Sequence, residues 1–471
     1  MKFKRKIYDM LLVWKKKDAR ECALLIDGAR RVGKSFIVEE FAKAEYRSYV
    51  IINFTRADKR IKDVFLNHLS NLDTFFSYLS ALTDTVFYEH ETLIVFDEVQ
   101  FFPKAREAIK TLVEDGRYDY IETGSLVSIN ENVEGILIPS EERDVPMYPM
   151  DFEEFLWATG RPTLMDAIRS AFAERRPMGP LHQTALDSFR QYLVVGGMPQ
   201  AVAKYCATHD FKAVDRVKRD LLALYRKGIR KHAKKYAFRV ERIYDSIAGQ
   251  LSRHEKDFRF SALGEDARFR EYESAFLWLK DAMVVNLALN VTDPHAGFKL
   301  NADDSKMKCY FLDTGLLVSH AFDENALAAA DIHNRLLFND IELNEGMLVE
   351  NAVAQMLTAA GQKLYFYSNR NRESAASRME IDFLLSRSRL EEKRNAIPVE
   401  VKSGVRTSHR SLDKFKAKFA DYVGESYLLS VHDLATRDGI TFLPLYMTPL
   451  LPDGAPTVET CERECRIAKS R

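Results

Sequence analysis

The run from Cys22 to Ala44 limits this chain more than any other. CALLI is a short apolar strand signal, DGARRVGKS follows it, and FIVEEFAKA continues with helical pattern. Gly28 and Gly33 bracket Ala29, Arg30, Arg31 and Val32 ahead of Lys34 and Ser35, completing G-x-x-x-x-G-K-S. Strand, glycine loop and helix is the context in which this motif holds a phosphate. The glycines let backbone N–H groups curl round an anion at a helix N-terminus, where the dipole favours negative charge. Lys34 is positioned to reach β- and γ-phosphates, and Ser35 to ligate Mg2+. Arg30 and Arg31 either neutralise phosphate or are solvated, and Phe36 closes the candidate nucleotide-binding set. A strand feeding such a loop belongs in a parallel α/β sheet.

A P-loop implies an acidic strand tip downstream. ETLIVFDEVQ supplies it, with LIVF reading as a buried central strand whose C-terminal end presents Asp97 and Glu98. Asp97 is the expected Mg2+ partner, directly or through water, and Glu98 the group that polarises the attacking water. YDYIETGSL repeats strand and polar tip, making Thr123 and Ser125 candidates to sense the γ-phosphate. Arg143, in EERDVPMYPMDFEEFL, is a candidate cation for stabilising phosphoryl-transfer charge, in this chain or for a neighbour.

At 471 residues the chain is too long for one ordinary core, and its 46% hydrophobic and 29% charged residues read as a folded multidomain protein. Formal charge is zero, so no global attraction to nucleic acid or membrane follows. Local asymmetry exists: residues 1–60 carry 16 Lys or Arg against 8 Asp or Glu, and residues 201–260 carry 16 against 7. Each run is either a solvated face or a phosphate-binding footprint. Five cysteines without framework spacing fit a reducing, cytoplasmic setting, and no stretch approaches a membrane span. LLVW is too short for a signal peptide.

After the turn GGMP the sequence becomes helical from Lys204 to Ser252. A helix over Arg268–Met283, strand-like NLALNV and the segment Phe298–Leu312 then suggest a winged-helix unit, the last segment being its wing. Glu271, Glu273 and Asp281 make the helix a poor reader of a phosphate-lined groove, which favours a coupling role. Lys218–Lys235 is the better candidate for phosphate contact.

The C-terminal part orders as helix (NEGMLVENAVAQMLTAAG), three strands (LYFYSNRN, MEIDFLLS, IPVEVKSG) and helix (SLDKFKAKFA). That order is the core of the restriction-endonuclease-like fold. Glu350, Asp382, Glu400 and Lys402 occupy its chemical positions, where converging carboxylates bind Mg2+ or Mn2+ and a lysine orients water. The competing reading is an ion-pair network of Glu380, Asp382, Glu400 and Lys402 holding a sheet together.

GARRVGKS, FDEVQ, ETGS, PMDFEEFL and VVGGMPQAV together resemble the prokaryotic AAA-like ATPases that carry a restriction-endonuclease-like domain at the C-terminus. The resemblance runs across almost the whole chain and implies an ATP-binding protein with a nucleotide-dependent conformational cycle. The expected organisation is an AAA-like P-loop ATPase domain at 1–160, a helical and winged-helix-like region at 161–330, and a restriction-endonuclease-like α/β domain at 331–471. The leading expectation is a Mg2+-dependent ATPase that switches or remodels a protein or DNA partner through its C-terminal domain. An ATP-regulated metal-dependent DNA nuclease and a nucleotide-gated scaffold with little turnover are the alternatives. Oligomerisation stays open, since AAA-like sites commonly lie at subunit interfaces.

Overall fold

The computed structural model describes residues 2–124, 139–253, 257–295, 297–322, 345–369, 378–386, 394–404 and 408–451. The chain divides into a unit spanning Lys4–Tyr148 and a second that begins at Pro149.

The first unit is a parallel sheet flanked by helices. Its strands are β1 (Ala23–Asp27), β2 (Ser48–Asn53), β3 (Thr92–Asp97), β4 (Asp119–Thr123) and β5 (Glu142–Pro146), in the order β2-β3-β4-β1-β5 with every pair parallel. β1, β3 and β4 are buried along their whole length, as expected of strands covered on both faces. Rings of Phe54, Phe65, Phe75 and Phe96 pack edge-on in the core beneath β2 and β3. Helix Lys34–Glu45 follows the glycine loop. Parallel pairing puts the C-terminal ends of all five strands on one edge, and Asn53, Asp97 and Thr123 are each the last residue of their strand.

The second unit is built on a mixed sheet. Its strands are β6 (Val285–Val291), β7 (Ala302–Phe311), β8 (Tyr365–Asn369), β9 (Met379–Ser386), β10 (Ala396–Val401), β11 (Tyr427–Ser430), β12 (Ala435–Arg437) and β13 (Ile440–Pro444). They run β12-β13-β11-β10-β9-β8-β6-β7. The expected helix, three strands and helix are present as Glu345–Ala359, β8, β9, β10 and Arg410–Lys418. The expected wing turns out differently. Phe298–Leu312 becomes a short 3-10 turn and β7, and β7 pairs antiparallel with β6, which itself pairs parallel with β8. The hairpin is therefore an edge of the larger sheet, and that sheet crosses the expected boundary between residues 330 and 331.

Two segments of the family resemblance meet in this unit at one buried node. Met150 N donates to Gly197 O at 2.7 Å, Tyr192 Oη to Met150 O at 3.0 Å, and Gly197 N to Asp313 Oδ2 at 2.6 Å. Asp313 also caps helix Thr314–Ala321 through Leu316 N at 2.9 Å. The GG of VVGGMPQ and the M of PMDFEEFL are thus packing residues. Among the described residues no helix is long and apolar enough to cross a membrane.

Candidate functional site

In the first unit, three strand tips and one helix start converge on a single carboxylate. Asp97 Oδ1 accepts from Ser35 Oγ at 2.7 Å and Thr123 Oγ1 at 2.5 Å, and Asp97 Oδ2 accepts from Asn53 Nδ2 at 2.5 Å. β2, β3 and β4 are sheet neighbours, so their last residues are brought side by side. The pairing of Ser35 with Asp97 spans 62 residues of sequence and joins the helix that follows β1 to the C-terminal tip of β3.

The glycine loop is held in shape from several sides. Gly28 has φ 148°, and a Cβ there would lie 2.4 Å from Met147 O, so only glycine fits. Arg5 donates to Val32 O at 2.9 Å and to Tyr148 O at 2.7 Å, tying the loop to the end of the unit. Lys34 Nζ donates to Gly28 O at 2.7 Å and Ala29 O at 3.0 Å, folding its ammonium over the loop's own carbonyls. Burial pushes the Lys34 ammonium down to about 8, against the pull of Glu98, Asp27 and Asp97. Asp27, the last residue of β1, is pushed up to about 6 by burial and by nearby Asp144. Arg31 is exposed with φ 69°, and Phe36 is 48% exposed at the start of the helix.

Glu98 follows Asp97 in a left-handed conformation, φ 57° and ψ 48°, which turns its side chain off the strand. Gln100 Nε2 donates to Glu98 Oε2 at 2.5 Å and fixes the carboxylate.

The sequence expectations are met unevenly. Lys34, Ser35, Asp97, Glu98 and Thr123 lie together. Ser125 lies outside the described residues. Arg143 is a correction: β5 pairs Arg143 with Leu24 near the starts of both strands, and its guanidinium binds Asp18 at 3.0 Å. It therefore sits toward the opposite end of the sheet from Gly28 and does not join the phosphate site of its own chain. Asn53, Gln100 and Arg5 were not foreseen. Asn53 carried a signal, a polar residue ending the apolar run YVII in SYVIIN, as Asp97 ends LIVF. Arg5 carried none.

The second unit holds a separate cluster. Lys308 on β7 is 0% exposed, and its ammonium lies 2.9 Å from Glu380 Oε1, 3.3 Å from Glu350 Oε1 and 3.5 Å from Asp382 Oδ1. It passes over the Phe366 ring, 5.1 Å from the centroid. Tyr310, two residues along the strand, also donates to Glu350 Oε1. Burial opposes the Lys308 charge, yet the surrounding carboxylates outweigh it and hold the ammonium well above its ordinary value. Alongside, Lys402 Nζ lies 2.6 Å from Glu400 Oε1, and Val401 N donates to Asp382 Oδ2 at 2.8 Å. Burial raises Glu400 to about 7, with Lys402 pulling the other way.

Glu350, Asp382, Glu400 and Lys402 are therefore neighbours, as the strand order implied, but a lysine ammonium occupies the space among the carboxylates. No group of three His, Cys, Asp or Glu side chains is arranged to share an ion among the described residues. KMKCYF read as part of a wing, so nothing in the sequence pointed Lys308 at the C-terminal strands.

Comparison with known proteins finds three family models along the chain. Residues 20–156 match the family model of the AAA domain, residues 186–326 a domain of unknown function (DUF8612), and residues 345–447 a domain of unknown function (DUF4143). No curated protein matches. Among solved structures, the Walker-type ATPase PABY2304 of Pyrococcus abyssi is 14% identical, with 68% of this chain and 96% of that one covered at a TM-score of 0.41. The ORC1 protein of Aeropyrum pernix, solved in complex with DNA, is 12% identical over 70% of this chain and 94% of its own at a TM-score of 0.28. Cdc6p of Pyrobaculum aerophilum is 13% identical over 72% and 94% at 0.24. TM-scores this low assign neither partner nor activity. The family match and the strand-tip geometry agree on the N-terminal part: it is an AAA-like P-loop domain.

Proposed function

We propose that the chain binds MgATP at the edge formed by Gly28–Phe36, Asp97 and Thr123 and hydrolyses it, with Glu98 as the base. One observation carries the reading: Ser35, Thr123 and Asn53 all donate to Asp97 beside a glycine loop whose carbonyls Lys34 already caps.

The donor set fits a hard cation, since the Ser35 hydroxyl and the Asp97 carboxylate put two oxygens side by side, the ligand type Mg2+ takes. When bound there, Mg2+ supplies charge neutralisation on the β- and γ-phosphate oxygens. The chain's own residues do the rest. Lys34 exchanges the Gly28 and Ala29 carbonyls for phosphate oxygens, a stronger charge-assisted contact. Asn53 and Thr123 hold the Asp97 carboxylate in one orientation. Glu98, oriented by Gln100, accepts a proton from the attacking water. A nucleotide cycle of this kind would switch or remodel a partner of the chain.

The carboxylate cluster of the second unit fits an ion-pair network that holds β7 and helix Glu345–Ala359 against β9. Lys308 supplies the positive charge there that a nuclease reading assigns to a divalent ion.

The test is MgATP binding and turnover by the full chain. Lys34→Ala should lose binding, and Glu98→Gln should keep binding while turnover falls about 100-fold or more. Unchanged turnover in Glu98→Gln would sink the catalytic assignment, and absence of MgATP binding by the wild type would sink the reading as a whole.

A further inference from the structure

Helices Phe211–His232 and Ala237–Leu251 form an antiparallel hairpin, joined by a 3-10 turn at Lys234–Tyr236. The pairs Arg226–Asp245 at 3.0 Å and Arg230–Glu241 at 2.5 Å fix the register, which puts residues 231–239 at the tip. The inner apolar face is satisfied: Leu222, Tyr225 and Ile229 are buried, as are Val240, Ile243 and Tyr244.

The tip is built differently. Residues 227–239 carry six Lys or Arg and no Asp or Glu. All six, Lys227, Arg230, Lys231, Lys234, Lys235 and Arg239, are exposed. Lys227, Arg230 and Lys231 recur at helical spacing on the last turns of the first helix, and Lys234 and Lys235 follow in the turn. In their midst Phe238 is 69% exposed, with the Arg242 guanidinium 5.5 Å from its ring centroid. A solvated helix face explains the lysines. It does not explain a phenylalanine left in water on a hairpin whose apolar face is already filled.

We propose that this tip is a binding surface for single-stranded nucleic acid. With Arg230 paired to Glu241, five further exposed cations about the tip offer contacts to a phosphodiester backbone, and an exposed aromatic ring backed by a guanidinium offers a platform on which a base stacks. A duplex keeps its base faces covered and leaves Phe238 unused. An anionic membrane would need a broad apolar face, and here Phe238 is a single exposed ring beside a buried apolar face of Leu222, Tyr225, Ile229, Val240, Ile243 and Tyr244. This inference does not depend on the ATP site.

The experiment is fluorescence anisotropy of a labelled 20-mer of deoxythymidine with the full chain, without nucleotide, between 50 and 200 mM salt. About five phosphate contacts at roughly 0.7 each predict a log–log salt slope of about −3.5. Replacing Lys227, Lys231, Lys235 and Arg239 together by Gln should flatten the slope by about 3 and weaken binding more than tenfold. Phe238→Ala should weaken binding about tenfold with the slope unchanged, the mark of a lost stack. Circular dichroism and thermal melting of each variant show whether the fold is intact. The proposal is overturned if the wild type does not bind at 50 mM salt or if the four-fold variant binds equally well. It is overturned equally if duplex DNA, polyglutamate or phosphatidylserine vesicles displace the 20-mer as well as unlabelled single strand does.

Discussion

Ser35 Oγ and Asp97 Oδ1 are 2.7 Å apart, one at the start of a helix and the other at the end of a strand. The contact matters because Asp97 accepts from three side chains at once, so an amide in its place would turn an N–H toward one of its own donors. Asp97→Asn should lower turnover about 100-fold or more, and Thr123→Ala about tenfold, since Thr123 contributes one orienting hydrogen bond. Steady-state ATP hydrolysis at saturating Mg2+ measures both. Equal loss in the two variants would refute this ranking.

Lys34 predicts a proton linkage. Its ammonium is held down to about 8 by burial, and a bound triphosphate would raise it again. Below about pH 7 the side chain is charged with or without nucleotide, and no proton moves on its account. As pH rises through about 8, ATP binding should take up a fraction of a proton that grows toward one. Isothermal titration calorimetry in buffers of different ionisation enthalpy reads this directly. Lys34→Met should remove whatever residual pH-dependent uptake survives its weaker binding.

Much of the first unit was legible because its signals are local. A strand, G-x-x-x-x-G-K-S and a helix lie within 23 residues, and LIVFDE announces a buried strand ending in carboxylates. Arg143 was misplaced because a lone arginine carries no register, and only the pairing of β5 with β1 shows which end of the sheet it occupies. Lys308 was invisible for a related reason. It lies 42 residues from Glu350 and 74 from Asp382, and it meets them only because β6 and β7 join the C-terminal sheet. The glycines of VVGGMPQ were read as family marks, whereas their physical cause is the close approach of Met150 and Asp313.

Lys308 should prove indispensable to the fold of the second unit. Lys308→Met removes a fully buried cation that lies among Glu350, Glu380 and Asp382, and breaking a buried ion pair of this kind costs about 3–5 kcal/mol. The variant should melt well below the wild type, and millimolar Mn2+ or Mg2+ should restore part of the loss by standing in for the ammonium. Wild-type melting should be indifferent to the same ions. A wild-type stabilisation equal to the variant's would show that a divalent ion binds beside Lys308.

Glu400 sets a pH dependence. Its carboxyl stands at about 7 in the folded chain against 4.5 for the free group, so the folded state binds the proton more tightly. The stability this contributes is fully present below about pH 4.5 and is lost as pH rises through about 7. At roughly 1.4 kcal/mol per pH unit, a shift from 4.5 to about 7 makes the loss of order 3–4 kcal/mol. Glu400→Gln should match the wild type at pH 4.5 and exceed it at pH 8. Urea midpoints at the two pH values decide it, and a variant weaker at pH 8 would mean that the Lys402 pair outweighs the burial.

Gly197 tests whether the GGMP turn is structural. A Cβ at this position would lie 1.9 Å from Met150 O, and the two residues are already joined by the Met150 N to Gly197 O hydrogen bond at 2.7 Å. Alanine must therefore break that bond or push the turn away from Asp313, whose carboxylate accepts from Gly197 N. Either route strands a buried polar group, and the combined cost of clash and lost bonds is at least about 3 kcal/mol. Gly361, at φ 81° with nothing within 4 Å of its Cβ, is the control: its alanine variant should lose only about 1 kcal/mol of backbone preference. Equal melting temperatures for the two variants would show that the turn relaxes freely and that packing against Met150 and Asp313 does not require glycine at this position.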